Sequence, residues 1–185
     1  MISRLVGAAK AAFYKIKFGG RISFSGIPAI DKGAEIKVKQ GKMTVGKGFS
    51  AKPGAYFAVV NNGQLCLKQG VSFGRNCIVV CHNSICVGDN VHIGPHVLIY
   101  DHDHIFDGQG IQEGFRTGPI SIGKNVWIGA GVIILRDTVI GDGCVVGAGC
   151  VVKGNIPPYS LVTSGRKLDI TPLTNKYGQD LQNES

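Results

Sequence analysis

Residues 122–157 read IGKNVW, IGAGVI, ILRDTV, IGDGCV, VGAGCV and VKGNIP in successive groups of six. An isoleucine or valine opens each group, at Ile122, Ile128, Ile134, Ile140, Val146 and Val152, and glycine or another small residue usually follows. The fifth place is small or apolar throughout, at Val126, Val132, Thr138, Cys144, Cys150 and Ile156. A six-residue period carried by β-branched residues belongs to parallel β-helices rather than helical repeats. Each hexad supplies a short strand and a turn, three hexads close a triangular coil, and stacked coils align their aliphatic side chains in columns.

The same spacing recurs at Val87, Ile93 and Ile99, at Leu67, Phe73 and Val79, at Val45, Ala51 and Phe57, and at Phe18, Phe24, Ile30 and Ile36. Between these blocks the register jumps near 37–44, 58–66 and 80–86, and most severely at 100–121. Such jumps mark places where loops leave the coil. The sequence therefore predicts an all-β solenoid over residues 18–168, an N-terminal amphipathic helix over 1–17, and a polar, hexad-free tail over 169–185 that packs loosely.

Composition agrees with one domain. The 185 residues are 44% hydrophobic, yet include one Trp and eight Phe, as expected of a core filled by Ile, Val and Cys rather than by aromatics. All six cysteines fall inside repeats and no signal-peptide pattern precedes them, which points to a reducing cytoplasm. Cys144 and Cys150 share the inward fifth position and read as stacked core residues, not a disulfide. Cys77, Cys81, His82 and Cys86 match no standard zinc spacing.

Charge is uneven along the chain. Net charge is +8, and the first 52 positions hold eleven of the twenty Lys and Arg residues against Asp31 and Glu35. Residues 2–18 carry apolar side chains at 2, 5, 6, 9, 12, 13 and 16, with Arg4, Lys10, Lys15 and Lys17 between them. This amphipathic helix is expected to cap the open end of the solenoid, and a peripheral contact with an anionic membrane surface is a second use of the same helix. The basic residues lack interleaved aromatics, so nucleic acid is not an expected partner.

The longest break, YDHDHIFDGQGIQEGFRTGP at 100–119, carries His102 and His104 flanked by Asp101 and Asp103, with Glu113 and Arg116 beyond. Imidazole is suited to proton removal near neutral pH, and a neighbouring carboxylate fixes its tautomer and raises its basicity. A loop projecting from a rigid scaffold is a usual place for such chemistry.

Over residues 60–168 the chain resembles the hexapeptide-repeat acyltransferases with a left-handed parallel β-helix, and among them the sugar and exopolysaccharide O-acetyltransferases related to galactoside and maltose acetyltransferases. Three pieces carry the resemblance: the loop YDHDH, the run GPISIGKNVWIGAGVIILRDTVIGDGCVVGAGCVV, and its continuation KGNIPPYSLVTSGRK. The resemblance implies a homotrimer with active sites between subunits, acetyl-CoA as co-substrate without a metal, and direct acetyl transfer to a sugar or glycan hydroxyl. By the same resemblance the catalytic histidines are His102, the general base, and His104, which helps bind or orient the acceptor. Asn76, Asp101, Asp103 and Trp127 are assigned to the acceptor side. Ala130, Gly131 and Ala148 would form smooth turns beneath pantetheine, with Lys153, Arg166 and Lys167 near the CoA phosphates. The ending TSGRKLDI departs from the family's pattern, so Arg166 and Lys167 are placed by proximity. The implied location is the cytoplasm, including the inner face of the membrane. Amino-sugar N-acetylation and a zinc enzyme resembling the γ-class carbonic anhydrases are the alternatives. The histidine spacing does not match the latter's ligand pattern, and a non-enzymatic solenoid is disfavoured by the intact His loop.

Overall fold

The inward hexad positions become the walls of a three-sided prism in the computed structural model, which describes residues 2–165. The helix α1 (Ile2–Phe18) and a short 3-10 turn (Gly19–Arg21) precede the solenoid. Every strand of the solenoid pairs in parallel with its equivalent one coil on. The first face stacks Ile22–Phe24, Lys42–Val45, Gln64–Leu67, Ser84–Val87 and Ile120–Ile122. A second face stacks seven short strands from Ala29–Ile30 through His92–Ile93 and Trp127–Ile128 to Leu161–Val162. The third holds Glu35–Val38, Tyr56–Val59, Ile78–Cys81 and Leu98–Tyr100. The long strands Ile133–Ile140 and Val151–Ile156 then turn the corner and extend both the third and the first faces.

The hexad openers Ile122, Ile128, Ile134, Ile140, Val146 and Val152 are all buried, as are the fifth-position residues from Val126 to Cys150. Thr138, the polar member of that set, has its hydroxyl satisfied by donation to the Leu135 carbonyl at 2.6 Å. Cys144 and Cys150 are free thiols in the core. Ile99 is wholly buried in the fourth coil. Its replacement by alanine is expected to cost about 2–5 kcal/mol, because the packed column around it collapses only in part. Chemical denaturation checks this, and an unchanged midpoint would contradict the packing described.

The register jumps share one cause. Those near 37–44, 58–66 and 80–86 fall at the same edge, where the third face turns into the first, and the extra residues of successive coils lie one above the other there. Gly41 shows how tight this edge is: it has φ +95°, and a Cβ on it would lie 2.1 Å from the Gly63 carbonyl oxygen. The break at 100–121 leaves from this edge too. It forms a β-hairpin, His102–Asp107 paired with Gly110–Thr117, where the sequence predicts an extended loop.

Helix α1 blocks the open end of the first coil. Tyr14 Oη accepts the Ile36 N–H at 3.2 Å, the Lys10 ammonium donates to the Asp31 carbonyl, and Arg21 Nη1 donates to the Lys39 carbonyl at 2.6 Å. These contacts occupy backbone groups that would otherwise form an open sheet edge. The face applied to the solenoid is Gly7, Ala11, Tyr14 and Phe18, all buried. The apolar stripe expected to cap the coil, with Leu5, Val6, Ala9, Ala12, Phe13 and Ile16, points to solvent instead. Two small residues let the helix backbone approach closely, and a Cβ on Gly7 would collide with the Pro28 carbonyl oxygen. The polar tail at 169–185, with Arg166 and Lys167, lies outside the described residues.

Candidate active site

The hairpin begins where the chain would otherwise turn into the first face, and the inward alternation of its parent strand decides what Asp101 does. Ile99 points in, Tyr100 out, and Asp101 in, so its carboxylate has no solvent exposure. It accepts the backbone N–H of His82 at 2.8 Å and of Asn83 at 2.7 Å, both from the coil before. The same carboxylate lies 3.3 Å from His102 Nδ1. Asp101, given to the acceptor side by resemblance, is completely buried beside His102 in the structure. Gly118 closes the hairpin by donating its N–H to the Asp101 carbonyl at 2.9 Å. A Cβ on Gly118 would lie 1.9 Å from Asp137 Oδ1, so a side chain there would displace the Asp137 carboxylate.

His102 is held on several sides. His82 stacks on it with ring centres 3.7 Å apart and planes 22° from parallel. Phe115 presents its ring at steep angles to both, at 4.5 Å from His82 and 5.1 Å from His102, while Tyr100 stands edge-on to His102 at 5.8 Å. The Asn61 carboxamide sits 3.0 Å from His82 Nδ1. With the amide donating there, His82 is the neutral Nε2–H tautomer. An Asp101 acceptor on His102 Nδ1–H leaves His102 Nε2 with its lone pair facing outward, the arrangement a general base needs. His82 was not singled out among the active-site residues in the sequence. It lies within a register jump, and its position directly beside His102 emerges only once the coils are laid in register.

His104 packs obliquely on Phe115 at 4.9 Å and is exposed. Asp103 accepts Arg136 Nε at 2.6 Å, and Arg136 also pairs with Asp137, which ties the hairpin to the next coil. Tyr100, His102, Asp103, His104, Phe106 and Ile111 line a cleft of ≈ 550 Å³. Burial, followed by the neighbouring Asp101 charge, pushes the Cys81 thiol well above its ordinary range, and burial raises Cys77 as well. Neither thiol is a nucleophile at neutral pH. Among the described residues no group of three His, Cys, Asp or Glu side chains converges to hold a metal ion.

Burial, and then the proximity of His102, hold His82 below its ordinary pKa of 6.5. The unfolded chain then takes up this proton more readily than the folded one, so the contribution is fully present above about pH 6.5 and declines as pH falls through the interval down to the folded value. Melting temperatures at pH 7.5 and 5.5 should differ more in the wild type than in His82→Phe, which keeps a stacking ring without a titrating one. Equal differences would show that His82 is not the group responsible.

A second set of expected site residues lies elsewhere. Trp127, 60% exposed on the second face, joins Gly129, Ala130, Val145, Gly147 and Ala148 around an apolar groove of ≈ 220 Å³. Gly131 follows with φ +66° at the edge between the second and third faces. Asn76 occupies that edge too, one side of the prism away from His102, with φ 56° and its carboxamide over Gly54. Lys153 is exposed on the His102 edge. One protomer thus brings Trp127, Ala130 and Ala148 together, and His102, His104, Asp101 and Asp103 together, but keeps the two sets on different edges. Both edges border the third face.

Residues 119–154 match the bacterial transferase hexapeptide model of six repeats. That match begins after the His hairpin, so it bears on the solenoid and not on the base. A Mycobacterium tuberculosis protein named a probable acetyltransferase is 36% identical over 104 residues, 55% of this chain and 35% of that protein. A Schizosaccharomyces pombe protein with the same class in its name is 39% identical over 113 residues, 57% of this chain and 55% of its own length. The chain therefore spans about a third to a half of these curated relatives. In fold it is similar to an N-acyltransferase from Bacillus cereus solved with an amino-dideoxyglucose nucleotide and coenzyme A, with TM-score 0.68, 21% identity, and 80% and 82% of the two chains covered. A hexapeptide-repeat acetyltransferase from Vibrio cholerae superposes with TM-score 0.58 at 23% identity, over 86% of this chain and 77% of the other. Repeat and prism agree: residues 119–154 match the hexapeptide-repeat model, and the described residues share the parallel β-helix fold of these solved neighbours.

Proposed function

We propose that the protein is an acetyl-CoA-dependent O-acetyltransferase acting on a hydroxyl of a sugar or polysaccharide precursor. The observation that carries this reading is the buried Asp101 carboxylate beside Nδ1 of His102, a histidine that lines a cleft on the surface. In the step itself, His102 Nε2 takes the hydroxyl proton as the acceptor oxygen bonds to the thioester carbonyl carbon. The C–S bond then breaks, and the CoA thiolate leaves with the proton returned from Nε2. No covalent enzyme intermediate is required, in keeping with the absence of an activated thiol near the base. Rate enhancement comes from holding base, acceptor and thioester in near-attack geometry.

The Trp127 groove is the proposed path of the pantetheine arm, with Ala130, Gly131 and Ala148 as the smooth turns beneath it and Lys153 as a phosphate contact. His104 and Asp103 face the acceptor, and Asn76 meets it from a neighbouring copy. Because the groove and the base occupy different edges of one protomer, a complete site needs a second chain. The third face suits that contact: Ile78, Val80, Leu98, Tyr100, Ile133 and Leu135 alternate outward along it, and Val151 is 63% exposed. A homotrimer joined through this face closes the symmetry and presents the edge of one protomer to the next. Light scattering should give three times the 19.5 kDa protomer mass, and a monodisperse monomer would overturn the assembly. Among the described residues no helix is long and apolar enough to cross a membrane.

Trp127 is the single tryptophan of the chain, so intrinsic fluorescence reports on one place. Titration with acetyl-CoA is expected to give a saturable change, and calorimetry on Trp127→Phe, which has no tryptophan to follow, to show binding weakened roughly tenfold, as for loss of an aromatic anchor. A flat titration with retained binding by calorimetry would move the cofactor path elsewhere. The N-acyl alternative is separated by product chemistry, since hydroxylamine cleaves an O-acetyl ester and leaves an amide intact.

A further inference from the structure

The cap helix has two apolar stripes, and the solenoid uses one of them. Gly7, Ala11, Tyr14 and Phe18 form the buried stripe. Leu5, Ala9, Ala12 and Ile16 repeat the same spacing two residues earlier, about 200° round the helix, and face solvent. Exposure there is high for large apolar side chains: Leu5 66%, Phe13 55% and Ile16 85%, with Ile27 beside the helix at 59%. Lys15 stands between the stripes on one flank and Lys17 on the other, both exposed, while Lys10 is turned to the Asp31 carbonyl of the solenoid. The helix has no acidic residue.

We infer that this outer stripe of α1 docks on an anionic lipid surface. An apolar face as broad as this, borne on a helix already fixed by its opposite face, needs no further apolar residues to cap the coil. Its flanking lysines match negatively charged headgroups, while a second copy of the same helix would set lysine against lysine. The preformed cap also removes the ordering cost that a free peptide meets on binding. Docked in this way, the solenoid stands on its first coil, and the His102 edge lies three strands above, roughly 15 Å from the helix end by strand spacing. Lipid binding is independent of the acyl-transfer reading, and the two are measured separately.

The test is co-sedimentation of the full chain with vesicles of phosphatidylcholine alone and with about a third phosphatidylglycerol. Binding to the anionic vesicles, weakened by added salt, is expected, with little on the neutral ones. Leu5→Glu with Ile16→Glu should lower partitioning about tenfold or more, and Lys15→Gln with Lys17→Gln should remove most of the preference for anionic lipid. All four sites are exposed, and unchanged melting temperature and solution mass establish that the variants are folded and assembled. No binding to anionic vesicles at low salt overturns the inference. So does a fall in solution mass of the Leu5→Glu, Ile16→Glu variant, which would assign the stripe to a second copy of the chain.

Discussion

His102→Ala is expected to lower turnover by about 10²–10⁴-fold, the range that a positioned general base supplies. Acetyl-CoA affinity should stay within about twofold, because the proposed partner of His102 Nε2 is the acceptor hydroxyl and not the pantetheine arm. Folding should be nearly untouched: the imidazole stacks on His82 and Phe115 but holds no buried backbone group. Steady-state kinetics and a Trp127 fluorescence titration on the same preparation separate the two effects. Full activity in the variant would remove His102 from the base's role, and a parallel collapse of CoA binding would mean that the residue acts on the fold.

Asp101→Asn should instead lower turnover and stability together. The carboxylate accepts two backbone N–H groups from His82 and Asn83 and faces His102 Nδ1. An amide of the same shape has one acceptor oxygen, so its NH2 must oppose either the Asn83 N–H or the His82 N–H, and in both orientations a buried donor is orphaned at a cost of about 1–3 kcal/mol. On the His82 side it also faces His102, donates to Nδ1 and moves the proton to Nε2, the wrong tautomer for a base. Turnover is expected to fall by about 10-fold or more and stability by about 1–3 kcal/mol together. Chemical denaturation and kcat check this as a pair. Loss of stability with unchanged kcat would leave Asp101 as a purely structural link between coils.

The solenoid was legible because its signal is repeated. Each hexad from Ile122 to Val152 places the same residue type at the same depth, and six repetitions outweigh local exceptions such as Arg136–Asp137. The register jumps were harder to interpret, since sequence records that residues are inserted but not that three insertions stack on one edge. That stacking is what sets Asn61, His82 and His102 in a row, and it explains why the sequence shows His82 only beside the cysteines and not beside His102. The inward place of Asp101 was harder to see for a simpler reason. The two-residue alternation from Ile99 already turns it inward, yet its place in an Asp-His-Asp-His run drew attention to the loop and away from the strand that precedes it. Helix α1 illustrates the limit of periodicity: an apolar stripe marks a face that is to be covered, without saying by what. Close approach at Gly7 and Ala11 chose the other face for the cap.

The central claim is acyl transfer by this chain with His102 as the base. Mass-spectrometric detection of acetyl transfer from acetyl-CoA to a panel of sugars, sugar nucleotides and oligosaccharides, with His102→Ala in parallel, tests it most directly. The account predicts an acetylated, hydroxylamine-labile product that nearly vanishes with the variant. Equal product from both proteins, or no transfer to any acceptor by a wild-type protein that also fails to bind acetyl-CoA, would contradict it.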